Sequence, residues 1–477
     1  MDRQVPPGVI LLRTLSHMHS LSENGKRDVA HLIHGFTDLT GHSQSGPSIV
    51  TGGKGVYVYD EQGREYIEAV SGMWCTSLGF GEEELIEAAT EQMRKLPYYH
   101  TLASKSVNPA IDLAEKLAGL APIDNPKVYL ALSGSEVNDF LIKFLWFYNN
   151  AIGRPQKKKV IARTNAYHGA TVVASSLTGI DHNHRGFDVP LPGFLHTHDP
   201  HYFRDALPGE TESQFGDRIV GDLEQLIQRE GPDTVMAFIA EPVTGGGGVV
   251  IPPPGYYNKV REVLDRYDIF FLADEVITGI GRTGNWFGCQ TLDVRPDAMT
   301  VAKGLSSAYQ PIAAIVLSDE IHQGLLAGSN DVGSFAHGAT YSGHPVGAAV
   351  ALKVLEIIEK RNIIDHVREV GRHFERRLRG FEDHPLVGEV RCIGLMGAIE
   401  FVADKETKQP FDSPGSFSRP LSRLAEEKGV IARAIPVGDA IGFCPPLIIT
   451  DAEIDELFDR FTASLDASMA FVGASAK

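Results

Sequence analysis

The sequence lacks several features that define common classes of protein. Its four cysteines lie far apart and form no Cys-x-x-Cys pair, which fits reduced thiols in a cytoplasmic protein rather than a disulfide framework. Basic residues are outnumbered, since 44 Lys and Arg against 61 Asp and Glu give a net charge of −17. This charge argues against a general binder of nucleic acid or of anionic membranes. The first thirty residues contain only one short apolar run, Val9–Leu12, so we expect neither a signal peptide nor a membrane span there.

The length and the pattern of the chain predict two domains. A chain of 477 residues exceeds the size at which a single core stops growing. From about residue 127, short apolar strands alternate with amphipathic helices, which is typical of parallel βα units. We therefore expect an α/β fold, with a large domain whose mostly parallel sheet is flanked by helices and a smaller α+β domain built from both termini. The predicted boundaries are residues 1–75 for an N-terminal arm and hairpin joining the small domain, 76–336 for the large domain, and 337–477 for the C-terminal small domain.

Short apolar runs predict the strands of the large domain. They are Val128–Leu132, Val160–Arg163, Val235–Ala240, Ile269–Ala273, Ala298–Ala302 and Ile312–Leu317. Helical periodicity predicts helices at Glu136–Asn149, Phe215–Glu230 and Tyr256–Tyr267.

A lysine follows one of these apolar strands and is itself followed by a glycine, as Lys303-Gly304. An amine in such a place loses solvation, which favours the neutral form that attacks carbonyl groups. Lys303 is therefore a Schiff-base candidate. The alternative is an ordinary lysine at a strand end whose amine reaches solvent.

Small or polar residues stand at the ends of four other strands. Gly134 and Ser135 open a helix whose backbone N–H groups could bind a phosphate, although the same run could be a plain helix cap. Asp274 could keep a pyridine nitrogen protonated at the sheet rim, or it could merely cap the next turn. Tyr167 offers a flat ring for stacking, and Glu241 ends a fourth strand. Together with the lysine, this ordered set predicts a pyridoxal phosphate site.

Two motifs point to other functions. Gly279–Gly284 matches the pattern GxGxxG, but it does not directly follow a strand and no convincing helix comes after it, so a dinucleotide site is not favoured. His196, His198 and His201 could suggest a metal site. Their surroundings are rich in Pro, Gly and Asp, which predicts a long loop without fixed ligand geometry, and we predict no metal site.

From about residue 30 to residue 465, the chain resembles the class III pyridoxal-phosphate-dependent aminotransferases of fold type I. The set of strand-end residues carries this resemblance. Within the class, three further runs are most similar to the ω-amino acid or amine:pyruvate transaminases. These runs are Met73–Cys75, Thr340–Pro345 and Cys444–Leu447.

The resemblance implies roles for the residues around the cofactor ring and the substrate. Lys303 would bond the cofactor and shuttle a proton, and Asp274 would pair with the pyridine nitrogen. Tyr167 and Val276 would hold the two faces of the ring. Trp74 and Tyr167 would line the substrate pocket.

The resemblance also implies how the phosphate is bound and how the enzyme assembles. Gly134 and Ser135 would hold the phosphate, helped by Thr340 of the neighbouring subunit. The expected functional unit is thus a homodimer with shared active sites, alone or within a tetramer. His168 and Glu241 would act as supporting polar residues near the cofactor.

The chain departs from the family pattern at two positions. Related transaminases use a mobile arginine to bind the carboxylate of pyruvate, and Arg433 is the best match. About two extra residues separate Arg433 from Gly438-Asp439, which puts its reach in doubt. Val137 stands where alanine is usual in the phosphate motif, and we expect no effect on cofactor binding.

The sequence thus predicts a cytoplasmic aminotransferase that works by ping-pong half-reactions between an amine or ω-amino acid donor and a keto acid acceptor, pyruvate being the expected one. It predicts no nucleic acid or membrane partner. Two alternatives stay open at this point. One is a different pyridoxal enzyme of the same class, an aminomutase or a decarboxylase, and the other is a non-catalytic metal- or nucleotide-binding protein.

Overall fold

The computed structural model of the chain describes residues 21–475, with side chains described through residue 468. These residues form two compact units. The first contains the residues up to Gly52 together with Val58–Glu65, and the second contains Gly53–Tyr57 and the chain from Tyr66 onward. The run Val9–Leu12 lies outside the described residues. Residues 1–20 and 476–477, which begin the predicted N-terminal part and end the predicted C-terminal domain, also lie outside them, and the division into domains stays a prediction.

The secondary structure follows the predicted pattern with small shifts of the boundaries. The helices are α1 (Glu23–His31), α2 (Leu39–Ser45), α3 (Ser71–Trp74), α4 (Glu83–Lys95), α5 (Asn108–Leu120), α6 (Gly134–Ala151), α7 (Val172–Leu177), α8 (Tyr202–Asp205), α9 (Glu212–Glu230), α10 (Tyr256–Arg266), α11 (Gly288–Thr291), α12 (Asp319–Val332), α13 (Pro345–Lys360), α14 (Ile363–Arg379), α15 (Ser418–Glu427) and α16 (Asp451–Ser475). The strands are β1 (Val50–Lys54), β2 (Tyr57–Asp60), β3 (Glu65–Glu68), β4 (Lys127–Ala131), β5 (Lys159–Arg163), β6 (Phe194–Thr197), β7 (Val235–Ala240), β8 (Phe270–Asp274), β9 (Ala298–Val301), β10 (Ala313–Leu317), β11 (Val387–Ile393), β12 (Met396–Phe401), β13 (Val430–Ile431), β14 (Arg433–Ala434) and β15 (Ala440–Phe443). Over residues 21–475, no helix combines the length and the apolarity that crossing a membrane requires.

The main sheet has seven strands in the order β4-β10-β9-β8-β7-β5-β6. The neighbours from β9 through β6 pair in parallel, which confirms a mostly parallel sheet. Strand β10 instead runs antiparallel to both β4 and β9, so the expectation that it belongs to a parallel βα unit is wrong. The reason is the length of the connection, because the eleven or so residues between β9 and β10 contain only a short 3-10 helix, Lys303–Ser306, and a parallel crossover needs a longer one. The sequence interpretation also missed β6, which it took for part of a loop.

The central strands of this sheet are buried on both faces. All six residues of β7 and all four of β9 are buried, and Phe238 and Phe271 from neighbouring strands pack with ring centroids 6.0 Å apart. Burying one such side chain contributes about 1.5–3 kcal/mol. This two-sided burial explains why the strands read as continuous apolar runs in the sequence.

The C-terminal part contains an antiparallel sheet in the order β11-β12-β15-β14. The short strand β13 does not belong to this sheet. It pairs in parallel with β3, with Val430 opposite Ile67 and Ile431 opposite Glu68. The long helical stretch after residue 345 breaks between α13 and α14 at Asn362, whose φ of 51° is left-handed. A strand from the N-terminal part of the chain thus pairs with a strand from the C-terminal part.

The N-terminus of α9 generates a test of local stability. Thr211 and Gln214 form a capping box, in which the Thr211 hydroxyl accepts from the Gln214 amide at 3.3 Å and the Gln214 side chain accepts from the Thr211 amide at 2.9 Å. We expect Thr211→Ala to lower the free energy of unfolding by about 1 kcal/mol, and Thr211→Ser to lower it much less. Urea denaturation of both variants measures this, and equal midpoints for Thr211→Ala and the wild type would contradict the assignment.

Candidate active site

A cavity of about 330 Å³ lies at the rim of the main sheet where β4, β5, β7, β8 and β9 end. Ligands of open α/β sheets bind at this edge, because loops from several parallel strands converge there. Of the eleven residues that the sequence interpretation assigned to a site, eight line the cavity. They are Gly134, Ser135, Tyr167, His168, Glu241, Asp274, Val276 and Lys303.

Lys303 follows β9 and projects from a tight backbone turn. Its φ of 48° is left-handed, a conformation that costs a non-glycine residue free energy and that is often found at functional sites. Gly304 is required next to it, because a Cβ there would lie 2.7 Å from the Ser77 hydroxyl. Burial lowers the pKa of the Lys303 ammonium below its ordinary value, and Cys75, Asp274 and Glu241 oppose this shift. The structure therefore provides an amine that loses its proton more readily than an exposed lysine does.

Asp274 ends β8 and is almost fully buried. Its Oδ2 accepts hydrogen bonds from His168 Nδ1 at 2.7 Å and from Asn138 Nδ2 at 2.9 Å. Its Oδ1 accepts from the Val276 amide at 3.1 Å. These donors hold the carboxylate in one orientation at the rim of the cavity.

Asn138 is a site residue to which the sequence interpretation gave no role. Besides binding Asp274, its Nδ2 donates to the His168 carbonyl at 2.7 Å, and its Oδ1 accepts from the Thr300 hydroxyl at 2.9 Å. Asn138 stands one helical turn after Gly134, and this i, i+4 spacing puts both residues on the face of α6 that meets the strand ends. This i, i+4 spacing is the sequence signal from which a role for Asn138 could have been predicted.

The N-terminus of α6 forms a concave surface suited to an anion. The first N–H groups of a helix have no carbonyl partner within the helix, and the helix dipole favours negative charge there. A Cβ on Gly134 would lie 3.0 Å from Val276 Cγ1, so a larger residue would fill the space. The Ser135 hydroxyl accepts from the Ala170 amide at 3.0 Å, which fixes the loop that follows β5.

The side chain of Glu241 binds the backbone of Tyr167. The Tyr167 amide donates to Glu241 Oε1 at 3.0 Å, and the Gly245 amide donates to Oε2 at 2.9 Å. Burial raises the pKa of Glu241, and the neighbouring His168 opposes the shift. The position of the Tyr167 ring is thus coupled to the glycine-rich turn after β7, where a Cβ on Gly246 would lie 3.2 Å from Tyr167 Cβ.

Three predicted residues do not line the cavity. Trp74 is buried in an apolar cluster with Ile435 and Ala440, and its ring lies against Gly442. Arg433 donates an N–H to the sulfur of Met73, and its Nε is buried without a hydrogen-bond partner among the described residues. Burial lowers the pKa of the Arg433 guanidinium, which Tyr167 opposes electrostatically.

The third residue, Thr340, is exposed in a turn, where its carbonyl accepts from the Tyr98 hydroxyl at 2.8 Å. Its side chain does not line the cavity of its own chain among the described residues. The roles assigned to Trp74, Arg433 and Thr340 stay predictions.

The motifs that suggested other functions have other structural roles. Gly279–Gly284 forms turns behind β8, and the next helix is the four-residue α11, so no long helix N-terminus stands there for a dinucleotide. The three histidines have separate partners. His196 contacts the carbonyls of Leu177 and Thr178, His198 contacts Asp222, and His201 contacts Glu389 and Arg391.

Comparisons with known proteins agree with this geometry. The chain matches the family model for class III aminotransferases over residues 40–465. It is 46% identical over 423 residues to the probable gamma-aminobutyrate transaminase 3, mitochondrial, of Oryza sativa subsp. indica, an alignment that covers 88% of this chain and 82% of that protein. It is 47% identical to the solved omega transaminase from Pseudomonas jessenii in complex with PMP, with a TM-score of 0.93 and coverage of 95% and 99%. A solved transaminase with L-ala is also 47% identical, with a TM-score of 0.87 and coverage of 89% and 100%.

The chain belongs to the class III aminotransferases. It is an enzyme that moves an amino group from an amine to a keto acid, with pyridoxal 5'-phosphate as its cofactor. The resemblance stated from the sequence is confirmed, as are the fold and the class of reaction.

The residues at the cavity fit this cofactor. The space in front of α6 that a Cβ on Gly134 would fill suits a phosphate, and the fixed carboxylate of Asp274 suits a pyridine nitrogen. The desolvated amine of Lys303 lines the same cavity and suits an aldehyde.

Asn138 generates a test of this arrangement. Asn138→Ala removes one donor from Asp274 and leaves the buried Thr300 hydroxyl without its acceptor, so we expect a loss of about 2 kcal/mol in unfolding free energy and faster release of the cofactor. Asn149→Ala is a matched control, because Asn149 is buried in the same helix and donates to the Leu145 carbonyl. Cofactor retention is followed by visible absorbance during dialysis. Equal retention in the two variants would show that Asn138 has only a structural role.

Proposed function

We propose that this aminotransferase takes its amino group from an amine or ω-amino acid and passes it to pyruvate. The observation that carries the proposal is Arg433, whose partly buried guanidinium has an Nε with no hydrogen-bond partner among the described residues and interacts electrostatically with Tyr167, a residue that lines the cavity. Such a group favours a ligand carboxylate, because a buried cation is stabilised by an opposite charge that it can bind through two N–H groups. The relatives support the choice of substrates, since their names include a gamma-aminobutyrate transaminase and a transaminase with L-ala, the amino form of pyruvate.

Lys303 and Asp274 perform the central steps in this proposal. When bound, pyridoxal phosphate supplies an aldehyde that accepts the amino group and a ring that withdraws electrons from the substrate carbon. Lys303 lines the cavity with an amine whose pKa burial lowers, so Lys303 Nζ would hold the cofactor through its aldehyde and, when free, would take the proton from the donor carbon as a general base. The Asp274 carboxylate would keep the pyridine nitrogen protonated, and His168 and Asn138 orient this carboxylate.

The other residues bind the cofactor. Tyr167 and Val276 line the cavity and would hold the ring of the cofactor, and Gly134 and Ser135 would hold its phosphate through the N-terminus of α6. Glu241 orients Tyr167 through its backbone amide.

We propose a homodimer, alone or within a tetramer, in which Thr340 of the partner subunit completes the phosphate site. The exposure of Thr340 and its absence from the cavity of its own chain are compatible with such an exchange. The substrate pocket also includes Trp74 and Arg433, from the parts of the chain next to the main sheet. The cytoplasm is the proposed compartment, in keeping with four cysteines that form no disulfide.

Removing the amine of Lys303 tests the covalent role. Lys303→Ala should lose both transamination and the visible absorbance of the lysine-bound cofactor, whereas Lys105→Ala, at an exposed lysine away from the cavity, should retain both. Spectra of the purified holoenzymes measure this. An unchanged spectrum in Lys303→Ala would exclude the residue as the covalent anchor.

Truncating Arg433 tests the choice of acceptor. We expect Arg433→Leu to raise KM for pyruvate by roughly 10- to 100-fold, which corresponds to the loss of a charged hydrogen bond of about 1.5–3 kcal/mol. KM for a hydrophobic monoamine such as benzylamine should change little, and Arg433→Lys should have an intermediate effect because a lysine cannot bind bidentately. Equal changes in KM for both substrates would contradict the assignment.

The stoichiometry of the reaction separates the proposal from its nearest alternatives. An aminotransferase converts one pyruvate to alanine for each donor amine consumed, and neither an aminomutase nor a decarboxylase needs an external amino acceptor. Alanine formation that depends on an added amine would support the proposal. Donor consumption without pyruvate would point to one of the other activities.

A further inference from the structure

The short element α3 (Ser71–Trp74) has non-helical backbone angles at Gly72 and Met73 and is called the Ser71–Trp74 turn below. Ser71 has a φ of 51°, Gly72 of 68° and Trp74 of 64°, all in the left-handed region. Left-handed conformations are unfavourable for Ser and Trp, so this turn persists only if its surroundings hold it. Part of that support comes from the Ser71 hydroxyl, which donates to the Cys444 carbonyl at 2.7 Å.

The carboxylate of Glu68 supplies the rest of the support. Glu68 ends β3 and is 3% exposed. Its Oε1 accepts from the Val70 amide at 3.0 Å, and its Oε2 accepts from the Gly72 amide. The backbone of Glu68 is itself fixed, because β3 pairs with β13 at Ile431. One carboxylate oxygen therefore binds the amide just before the turn and the other binds an amide within it, from a strand whose backbone is fixed.

The turn carries two side chains that contact the strands β14 and β15. The sulfur of Met73 accepts an N–H of Arg433, and the carbonyl of Met73 accepts from the Cys75 thiol. The ring of Trp74 packs against Gly442 of β15, next to the strand that carries Arg433. A shift of the turn would therefore move the sulfur of Met73, which accepts the N–H of Arg433.

We propose that Glu68 is a positioning residue that sets the affinity for the carboxylate-bearing substrate, by holding the Ser71–Trp74 turn against Arg433 through its two ionised oxygens. The inference rests on the proposed function of Arg433. It concerns a residue that does not line the cavity and that the sequence interpretation did not single out.

The ionised form is the one that holds the turn. A carboxylate can accept from both amides, whereas protonation turns one of the oxygens into an O–H donor that competes with the Gly72 amide. Burial raises the pKa of Glu68 to about 7, opposed by the Val70 hydrogen bond. Among the described residues, the thiols of Cys75 and Cys444 interact electrostatically with Glu68, and both thiols also interact with the cations Lys303 and Arg282.

The ionisation of Glu68 has opposite effects on the affinity for pyruvate and on the stability of the fold. As pH falls through about 7, Glu68 gains a proton. One of the two hydrogen bonds that its carboxylate accepts is then lost, so KM for pyruvate rises. The stability of the fold changes the other way. Because the folded pKa is raised above the unfolded value, the fold is stabilised while Glu68 stays protonated, and this stability is lost as pH rises from the unfolded pKa through about 7.

The test compares Glu68→Gln with wild-type holoenzyme. Glutamine has the shape of the protonated side chain, so we expect KM for pyruvate to be raised at pH 8 and to be nearly independent of pH. Wild-type KM should rise roughly tenfold between pH 8 and pH 6, because about a tenth of the molecules keep the ionised form one unit below the pKa. KM for benzylamine and the visible absorbance of the cofactor should change less than about twofold in both proteins.

Thermal unfolding gives a readout that does not depend on activity. The melting temperature of Glu68→Gln minus that of the wild type should increase as pH rises from 5 to 8, because only the wild type loses stability when Glu68 ionises. A purely structural role that did not involve ionisation would not produce this trend. Glu65→Gln, at an exposed position on the same strand, is the matched control and should show neither effect.

Failure of this inference can be told apart from failure of the proposed function. A wild type that does not aminate pyruvate would overturn the proposed function. A wild type that aminates pyruvate, together with a Glu68→Gln variant whose KM for pyruvate equals that of the wild type at pH 8, would overturn the role of Glu68.

Discussion

The desolvation of one amine is the constraint on which the rest of the site depends. Lys303 must be buried enough for its pKa to fall, yet it must face groups that hold a negatively charged cofactor. Asp274, Glu241 and Cys75 each oppose the effect of burial, so the surroundings limit how far the pKa falls. The site therefore needs carboxylates that are fixed in orientation, and the hydrogen bonds from His168 and Asn138 to Asp274 provide this.

The topology of the sheet places the amine within reach of these groups. Parallel strands bring Asp274 at the end of β8 and Glu241 after β7 to the same edge as Lys303. The antiparallel strand β10 follows β9 after a short connection, and Lys303 lies near the start of this connection with a left-handed backbone. A parallel strand at this position would require a longer connection, which would leave the lysine in a looser loop.

The sequence predicted the parts of the site that depend on strand ends. Gly134, Tyr167, Asp274 and Lys303 each follow an apolar run, and the rule that parallel strands end at one edge is enough to bring them together. The interpretation missed β6 because it is a short edge strand that contains a histidine, so its hydrophobic signal is weak.

Contacts between side chains distant in sequence could not be predicted from the pattern. Asn138 carries a helix-spacing signal, but its bond to Asp274 spans 136 positions. The contact of Arg433 with Met73 spans 360 positions and depends on the short strand β14, whose two residues give no periodicity. The sequence pattern reports local structure, whereas the first contact depends on how α6 meets the end of β8 and the second on how β14 pairs with β15.

Strained backbone occurs at Lys303, which lines the cavity, and at residues that do not line it. Ser71, Trp74, Ile280 and Lys303 all have left-handed φ values, and none of them has the freedom of glycine. Each such residue costs about 1–3 kcal/mol, which the surrounding contacts must offset. Glu68 fits the same account, because burying its charge weakens the fold at the pH at which its two hydrogen bonds hold the turn best. The region beside Arg433 is thus kept in place by interactions that the folded state would not need for its stability alone.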